Sequence, residues 1–257
     1  QVVAGTPMDP LRGQKIIGLL EDEGLLDGDD VSVPRRPALR SLLRVHRPEY
    51  LESLGLDPTV TERIFGERLG DDVVERLVEL QRLATGGTIQ ATRLALQSRS
   101  TAVNLGGGFH HASRDRGLGF CIFNDIAVAV TRLRAKGFKE PILVVDLDIH
   151  DGNGTREIFA HDSTVYTYSV HNQHWGPTEA VASTSIALGA EVEDELYLGT
   201  LLKTLPDVMT EVRPGLVIYI AGSDPAADDE LGNWRISADG MLRRDRLVVE
   251  LLRRVRR

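Results

Sequence analysis

The sequence has 257 residues, of which 42% are hydrophobic, and this length is enough for one sizeable α/β domain. Thirty basic and 38 acidic residues give a formal net charge of −8, which disfavours a general nucleic-acid binder. The single cysteine, Cys121, excludes an internal disulfide and a multi-cysteine zinc cluster, and no apolar run approaches the roughly 20 residues that cross a bilayer.

The ends of the chain give expectations about its extent and location. The sequence begins at Gln1 without a methionine and finishes inside a helical pattern, so we expect natural residues to be missing at one or both ends. The scarcity of cysteine and the lack of a signal-peptide pattern favour a cytoplasmic location. We expect a single domain over residues 1–257.

The first hundred residues are predicted to be largely helical. Apolar residues recur at helical spacing in GQKIIGLLEDEGLL from Gly13, in VHRPEYLESL and in DVVERLVELQRLATGGTIQATRLALQS. Gly86 and Gly87 predict a break in the last segment, with a new helix starting near Thr88. For His46, in the second segment, we favour a structural role over a site role.

From residue 101 short apolar runs alternate with helices, which predicts a parallel sheet. Strands are predicted at AVNL, PILVVDLDIH, TVYTYSVH and GLVIYIAGSD. NDIAVAVTRLRAKG is predicted to be a helix with Asn124 or Asp125 near its N-cap and Gly137 near its end.

The basic segment at the end, Arg243 to Arg257, is predicted to be an amphipathic helix rather than a nucleic-acid contact. Its arginines would face water. Its inward residues would be Leu247, Val248, Leu251 and Leu252.

Polar side chains fall where the four predicted strands end. In chain order they are His110 and His111, then Asp146, Asp148 and His150, then Ser169 and His171, and finally Asp224. Because the carboxyl ends of parallel strands meet at one edge of a sheet, we expect these side chains to converge on one pocket.

The residue types in this pocket indicate a metal centre. Asp148 and His150 lie two apart, so on a strand both point to one face, and Asp224 would join them from the neighbouring strand end. One imidazole and two carboxylates, with an open position for water, form a catalytic zinc site, and iron(II) tolerates the same donors. Each residue alone reads more simply as a cap or an ion-pair partner, but the group favours a metal.

His110 and His111 can carry the protons that metal-assisted hydrolysis moves. Adjacent histidines point in different directions, so each needs its own orienting partner, for which Asp146 and Asn153 are available. Beside a metal motif, this role is favoured over solvent-facing loop residues. The preceding glycines, residues 106–108, lack the lysine and hydroxyl residue of a phosphate loop, and close backbone approach explains them better.

Several segments resemble the histone deacetylase superfamily. The resemblance is carried by NLGGGFHHASRDRGLGFCIFNDIAVAV, DLDIHDGNGTREIF and AGSDPAADDELG, and it covers most of the chain. It implies the α/β arginase/deacetylase fold, with three α-β-α layers and a mostly parallel central sheet. HHASRDRG and GQKIIGLLEDEGLL are most similar to class IV deacetylases and their bacterial relatives.

The resemblance also implies roles for individual residues. Zinc would be bound by Asp148, His150 and Asp224. His111 would be the principal general base and acid, and His110 would stabilise charge and hold the zinc-bound water. Asp146 would orient His110, and Asn153 would orient His111.

Two further features follow from the resemblance. Gly119 and Phe120 match the segment that lines the acyl-lysine tunnel. A structural potassium ion would be held by Asp146, backbone oxygens around Asp148 and His150, the Ser169 hydroxyl and the backbone of Val170.

The sequence departs from the family pattern at two places. The family's glycine-rich segment, whose tyrosine donates a hydrogen bond to the substrate carbonyl, is expected beyond the helix that runs into Arg257, and the sequence stops before it; losing such a donor typically costs on the order of 10²–10³ in kcat. No replacement is nominated among Tyr166, Tyr168, Tyr197 and Tyr219. HNQHWGPTEAVAS also lacks the usual aromatic-Pro-Gly-Thr segment, so His174 or Trp175 either forms part of the tunnel wall or simply packs in its loop.

Together these features predict a metal-dependent amidohydrolase that removes acetyl or other acyl groups from lysine side chains by attack of a zinc-activated water. The expected partner is an acyl-lysine protein or a small acylated amine, without direct nucleic-acid or membrane binding. Alternatives are a polyamine or small-amide deacetylase, a long-chain lysine deacylase, and a non-catalytic acyl-lysine-binding module. Substrate, acyl-chain length and oligomeric state stay open.

Overall fold

The computed structural model of this chain describes residues 11–255, with side chains through residue 253. The chain divides into two compact units, residues 1–132 and 133–257. Among the residues described, no helix has the length and apolar character that a membrane span needs. The single domain expected over residues 1–257 stays a prediction.

Helices build the first unit, as the apolar periodicity predicts. They are α1 (Arg12–Asp22), a 3₁₀ turn (Gly28–Asp30), α2 (Leu39–Leu42), α3 (Pro48–Ser53), α4 (Pro58–Phe65), α5 (Asp71–Ser98) and the start of α6 (Asp125–Ala135). Asn124 caps α6 by accepting a hydrogen bond from the Ala127 amide at 2.8 Å, and Gly137 follows the helix with φ +91°, so both predicted boundaries are confirmed.

The predicted break in α5 is wrong, because the helix runs without interruption from Asp71 to Ser98. A Cβ at Gly86 would lie 2.0 Å from the backbone oxygen of Arg35, and one at Gly87 would lie 2.6 Å from Oδ1 of Asn104. The two glycines therefore let neighbouring segments approach the helix closely rather than end it.

The strand predicted at AVNL is also wrong, since residues 102–105 have no strand conformation. The Asn104 side chain donates hydrogen bonds to the Ala84 carbonyl at 2.9 Å and to the Thr88 hydroxyl at 2.7 Å, and accepts one from the Gly106 amide at 3.2 Å. Side-chain bonds to α5 hold this segment instead of a sheet ladder, and Val103 is 74% exposed.

The second unit contains a four-stranded parallel sheet in the order β3-β2-β1-β4. The strands are β1 (Ile142–Asp146), β2 (Val165–His171), β3 (Ser183–Ala187) and β4 (Leu216–Ile220), with helices α7 (Asn153–Ile158), α8 (Asp194–Val212) and α9 (Ala238–Val255). Three strands match predicted ones. The edge strand β3 was not predicted, because its residues are mostly polar and only half-buried.

The two faces of the sheet carry different residues. Leu143 and Val145 of β1 belong to an apolar core that includes residues of α8 and α9. Val248 and Leu251 are buried in this core and Leu247 and Leu252 pack against it, so the predicted inward face of the last helix is confirmed. The prediction that its arginines face water is wrong for Arg244, which is buried, and residues 256–257 lie outside the described part. The alternate residues of β1 face α7, and Asp146 ends the strand on that side.

Candidate metal centre and histidine pair

Asp148, His150 and Asp224 offer donor atoms that all lie within 4.8 Å of one another. His150 Nδ1 is 2.8 Å from an Asp224 oxygen and 3.1 Å from an Asp148 oxygen. The strand geometry expected for this group is wrong, since β1 ends at Asp146 and Asp148 and His150 follow in the next loop. A turn brings them together, in which the His150 amide donates to the Asp148 carboxylate at 2.8 Å.

Glycines allow backbone segments around this centre to pack directly against one another. A Cβ at Gly222 would lie 2.5 Å from Asp148 Cα, and one at Gly232 would lie 1.9 Å from the backbone oxygen of Asp224. The Asp224 carboxylate in turn accepts a hydrogen bond from the Ile149 amide at 2.9 Å. The glycines in this part of the sequence are therefore signals of close approach around the centre.

The charges at the centre suit a cation. Burial alone lowers the pKa of His150, but hydrogen bonds and charges of Asp148 and Asp224 outweigh it and raise this pKa to about 9. Burial raises the pKa of Asp224 to about 6. Two carboxylates and one imidazole attract either a proton or a metal ion at the same place, and the donor types are those of zinc and iron(II) sites.

The other residues expected near the metal lie on β1, β2 and α7. Asp146 and Ser169 are register partners across β1 and β2, and Asp146 accepts a hydrogen bond from the Asp148 amide at 3.2 Å. The Ser169 hydroxyl is 2.9 Å from His171 Nδ1, and Val170 is fully buried beside it. Asn153 is the first residue of α7 and is buried. Their proposed roles toward potassium and the histidines stay predictions.

His110 and His111 form a buried pair in the first unit, with ring centroids 4.1 Å apart. The Asn124 side chain donates to the carbonyls of His110 and Ala112, at 3.4 and 3.0 Å. The Asp125 carboxylate accepts from the backbone amides just before the pair, and from the Thr88 hydroxyl. Both residues at the start of α6 thus hold the backbone around the histidines, a role that their capping position did not reveal.

The triple-glycine stretch before the pair is a close-approach element, as expected. A Cβ at Gly107 would lie 2.6 Å from the side chains of Thr88, Asn104 and Asp125. Only glycine fits beside these buried polar groups.

His46 has the structural role favoured from the sequence. Its Nε2 accepts a hydrogen bond from the Asn124 amide at 3.1 Å, so Nδ1 carries the proton and donates to the Ser113 carbonyl at 2.8 Å. Burial lowers the pKa of His46 to about 4, so the ring is neutral at ordinary pH. This imidazole ties the segment after the histidine pair to the start of α6.

Gly119 and Phe120, which are expected to line the acyl-lysine tunnel, both have positive φ, +51° and +64°. A Cβ at Gly119 would lie 2.4 Å from the His111 ring, so this glycine lets the segment pass beside the histidine. Gln81 of α5 holds the segment by donating to the Phe120 carbonyl at 2.6 Å and accepting from the Ile122 amide at 2.8 Å. Sequence reasoning missed Gln81, which carries no motif.

Trp175 lies against the candidate metal centre, with its ring centroid 5.2 Å from that of His150 in an edge-on arrangement. Its backbone amide donates to Asp151 at 3.0 Å, and Asp151 forms a buried two-pronged ion pair with Arg156. Burial alone would raise the pKa of Asp151, but the hydrogen bonds from Arg156 and the Trp175 amide, together with the charges of His171 and Arg156, outweigh it and lower this pKa. His174 is exposed and within 3.1 Å of His171. Neither Asp151 nor Arg156 was singled out from the sequence.

All five tyrosines lie among the described residues and pack within their own units. Four hydroxyl groups have hydrogen-bond partners: Tyr50 with the Ile122 carbonyl, Tyr166 with Thr184, Tyr168 with Thr204 and Tyr219 with Asp245. The fifth, Tyr197, is fully buried against Trp234. Burial raises the pKa of Tyr168 to about 12.

Comparison with known proteins supports one family. The histone deacetylase domain family matches residues 6–257. An uncharacterized protein of Picosynechococcus is 38% identical over 236 residues, which cover 90% of this chain and 77% of that protein. Histone deacetylase 2 of Arabidopsis thaliana is 34% identical over 263 residues, which cover 96% of this chain but only 66% of that protein.

The fold agrees with this match. The crystal structure of an HDAC homolog from Aquifex aeolicus has a TM-score of 0.83 and 25% identity, over 97% of this chain and 72% of that chain. The parallel sheet with its flanking helices and this similarity confirm the predicted arginase/deacetylase-like α/β fold. The chain belongs to the histone deacetylase family.

Proposed function

We propose that the chain is a metal-dependent amidohydrolase that removes acyl groups, foremost acetyl, from lysine side chains of proteins. The observation that carries this proposal is the convergence of Asp148, His150 and Asp224 donor atoms within 4.8 Å. Membership of the histone deacetylase family supports an amide of an acylated amine as the substrate.

The metal is proposed to be zinc, with iron(II) as the alternative, because both accept one imidazole and two carboxylates. When bound, such an ion lowers the pKa of a water molecule and polarises a carbonyl oxygen. A structural potassium ion is proposed beside Asp146 and Ser169, which face each other across β1 and β2.

The histidine pair is proposed to move the protons of the reaction. His111 takes a proton from the attacking water and delivers it to the leaving amine, while His110 stabilises the charge that develops on the carbonyl oxygen. Hydrogen bonds of the Asn124 and Asp125 side chains hold the backbone on either side of the pair. Asp146 and Asn153 are proposed to orient His110 and His111.

Metal content and hydrolysis of an acetyl-lysine peptide test the proposal together. The wild type should bind one equivalent of zinc and release acetate, and Asp148→Ala His150→Ala should do neither. A matched control is His161→Ala Asp207→Ala, which removes the same residue types from exposed positions of the same unit. Wild-type hydrolysis by the Asp148→Ala His150→Ala variant would contradict the proposal.

A panel of acetyl-lysine, myristoyl-lysine and acetylpolyamine substrates separates protein deacetylation from the long-chain and small-amine alternatives. One observation favours a second function, binding of acyl-lysine without hydrolysis. All five tyrosines are packed within their units, and four of their hydroxyl groups are hydrogen-bonded there. Tight binding of acetyl-lysine peptide to the zinc-loaded chain, with no acetate release, would select this second function.

A further inference from the structure

Helix α9 carries an arginine that does not face water. Arg244 is 2% exposed, whereas the side chain of its neighbour Arg243 is 55% exposed and pairs with Asp239 at 3.8 Å. A guanidinium group keeps its charge when buried, so its N–H groups need acceptors. The acceptors that Arg244 finds therefore indicate what it does.

Arg244 reaches both loops that carry the carboxylates of the candidate metal centre. Its Nη1 donates to the Gly222 carbonyl at 2.7 Å and approaches the Leu147 carbonyl at 3.4 Å. Leu147 directly precedes Asp148, and Gly222 lies two residues before Asp224. One nitrogen atom thus bridges the two loops.

The bridge begins where strand pairing stops. Strands β1 and β4 end at Asp146 and Ile220, and the last backbone bond between them runs from the Leu147 amide to the Ile220 carbonyl at 3.0 Å. Buried carbonyl groups beyond a ladder need another donor. Because the backbone at Gly222 packs directly against Asp148, a shift of one loop displaces the carboxylate of the other.

The guanidinium is itself held in place. Its Nε donates to Asp245 at 2.9 Å, and the Tyr219 hydroxyl donates to the same Asp245 oxygen at 2.5 Å. The Tyr219 ring lies 6.0 Å from Arg244 Cζ, within the range of a cation–π contact. Asp245 and Tyr219 thus fix the direction in which Arg244 points.

We propose that Arg244 is a positioning residue for the metal centre. It holds the Leu147 and Gly222 carbonyls, and so sets the separation at which Asp148 and Asp224 both reach one divalent cation. This inference rests on the proposed function. Groups that orient metal ligands typically contribute about 10–100-fold to metal affinity, and we expect a loss of this size when Arg244 is replaced.

The test compares Arg244→Lys with Arg243→Gln on the same helix. Lysine keeps the charge but lacks the planar fork of donors. Zinc affinity is measured by competition with a chromophoric chelator, under conditions where circular dichroism shows each variant folded, and the visible spectrum of bound cobalt(II) reports ligand geometry. Arg244→Lys should bind zinc about 10–100-fold more weakly and shift the cobalt spectrum, while Arg243→Gln should match the wild type.

Two controls keep this inference separate from the proposed function. If the wild type binds zinc no more tightly than Asp148→Ala, the proposed metal centre itself is refuted, and this inference with it. If the wild type binds well but Arg244→Lys shows unchanged affinity and spectrum, even with lower thermal stability, only the positioning role is overturned. Should Arg244→Lys fail to fold, Tyr219→Phe decides: a weaker zinc affinity supports the role, and an unchanged one overturns it.

Discussion

His46 is expected to make the stability of the chain depend on pH in a mildly acidic range. Its buried ring bonds through both nitrogens to the backbone of Ser113 and Asn124, and burial lowers its pKa from 6.5 to about 4. The fold therefore binds the neutral ring. The stabilisation is fully present above pH 6.5 and is lost as the pH falls toward 4. Between these two values His46 binds a proton in the unfolded chain but not in the folded chain.

The size of the effect follows from the two pKa values. The difference between 6.5 and about 4 corresponds to about 3 kcal/mol of unfolding free energy, since one pKa unit is worth about 1.4 kcal/mol. About 2 kcal/mol of this is lost by pH 5, and below pH 4 the contribution stops changing.

Urea unfolding at pH 7.5 and pH 5.0 measures this loss in the wild type and in His46→Gln. Glutamine keeps a donor and an acceptor but does not titrate, so the variant should lose about 2 kcal/mol less than the wild type between the two pH values. The other titrating groups are common to both proteins and cancel in the comparison. Equal losses, or an NMR titration of His46 near pH 6.5 in the folded chain, would refute the reasoning.

Four further substitutions test the packing. Gly86→Ala should lower the free energy of unfolding by about 1–3 kcal/mol, because the added methyl group meets backbone atoms. Gly18→Ala, which has open space around the new methyl group, should raise the free energy of unfolding by about 0.4–1 kcal/mol. Urea unfolding checks both variants. Arg156→Met leaves a buried carboxylate without its partner and should cost about 3–5 kcal/mol in the same assay, and a loss below about 1 kcal/mol would contradict a desolvated pair. Gln81→Leu removes two hydrogen bonds to the 120–122 backbone and should cost about 1–3 kcal/mol, with faster amide exchange there; unchanged exchange would count against it.

Features that depend on local pattern could be predicted from the sequence. The apolar runs at β1, β2 and β4 are strands, and their polar ends bring Asp148, His150 and Asp224 together. The reasoning behind that convergence was only partly right, because a turn after β1, and not alternation along it, places the first two.

Features that depend on distant contacts could not be predicted. Arg244 bonds to a carbonyl 97 residues away, and Gln81 to backbone 39 and 41 residues away, so neither leaves a mark on its own segment. The strand predicted around Asn104 is wrong for the same reason. The Asn104 side chain bonds to residues of α5 that lie 16 and 20 positions earlier, and these bonds override the strand pattern of its neighbours.

Because α5 is continuous, it fixes the spacing between two sets of hydrogen bonds. Gln81 forms hydrogen bonds with the backbone of Phe120 and Ile122, and Thr88, seven residues later, forms them with the side chains of Asn104 and Asp125. Seven residues of helix make about two turns, so Gln81 and Thr88 lie on one face of α5, about 10 Å apart. Inserting a single residue between them would rotate one side chain by about 100° around the helix axis relative to the other. The rise of α5 thus sets the spacing between the segments that precede and follow the histidine pair.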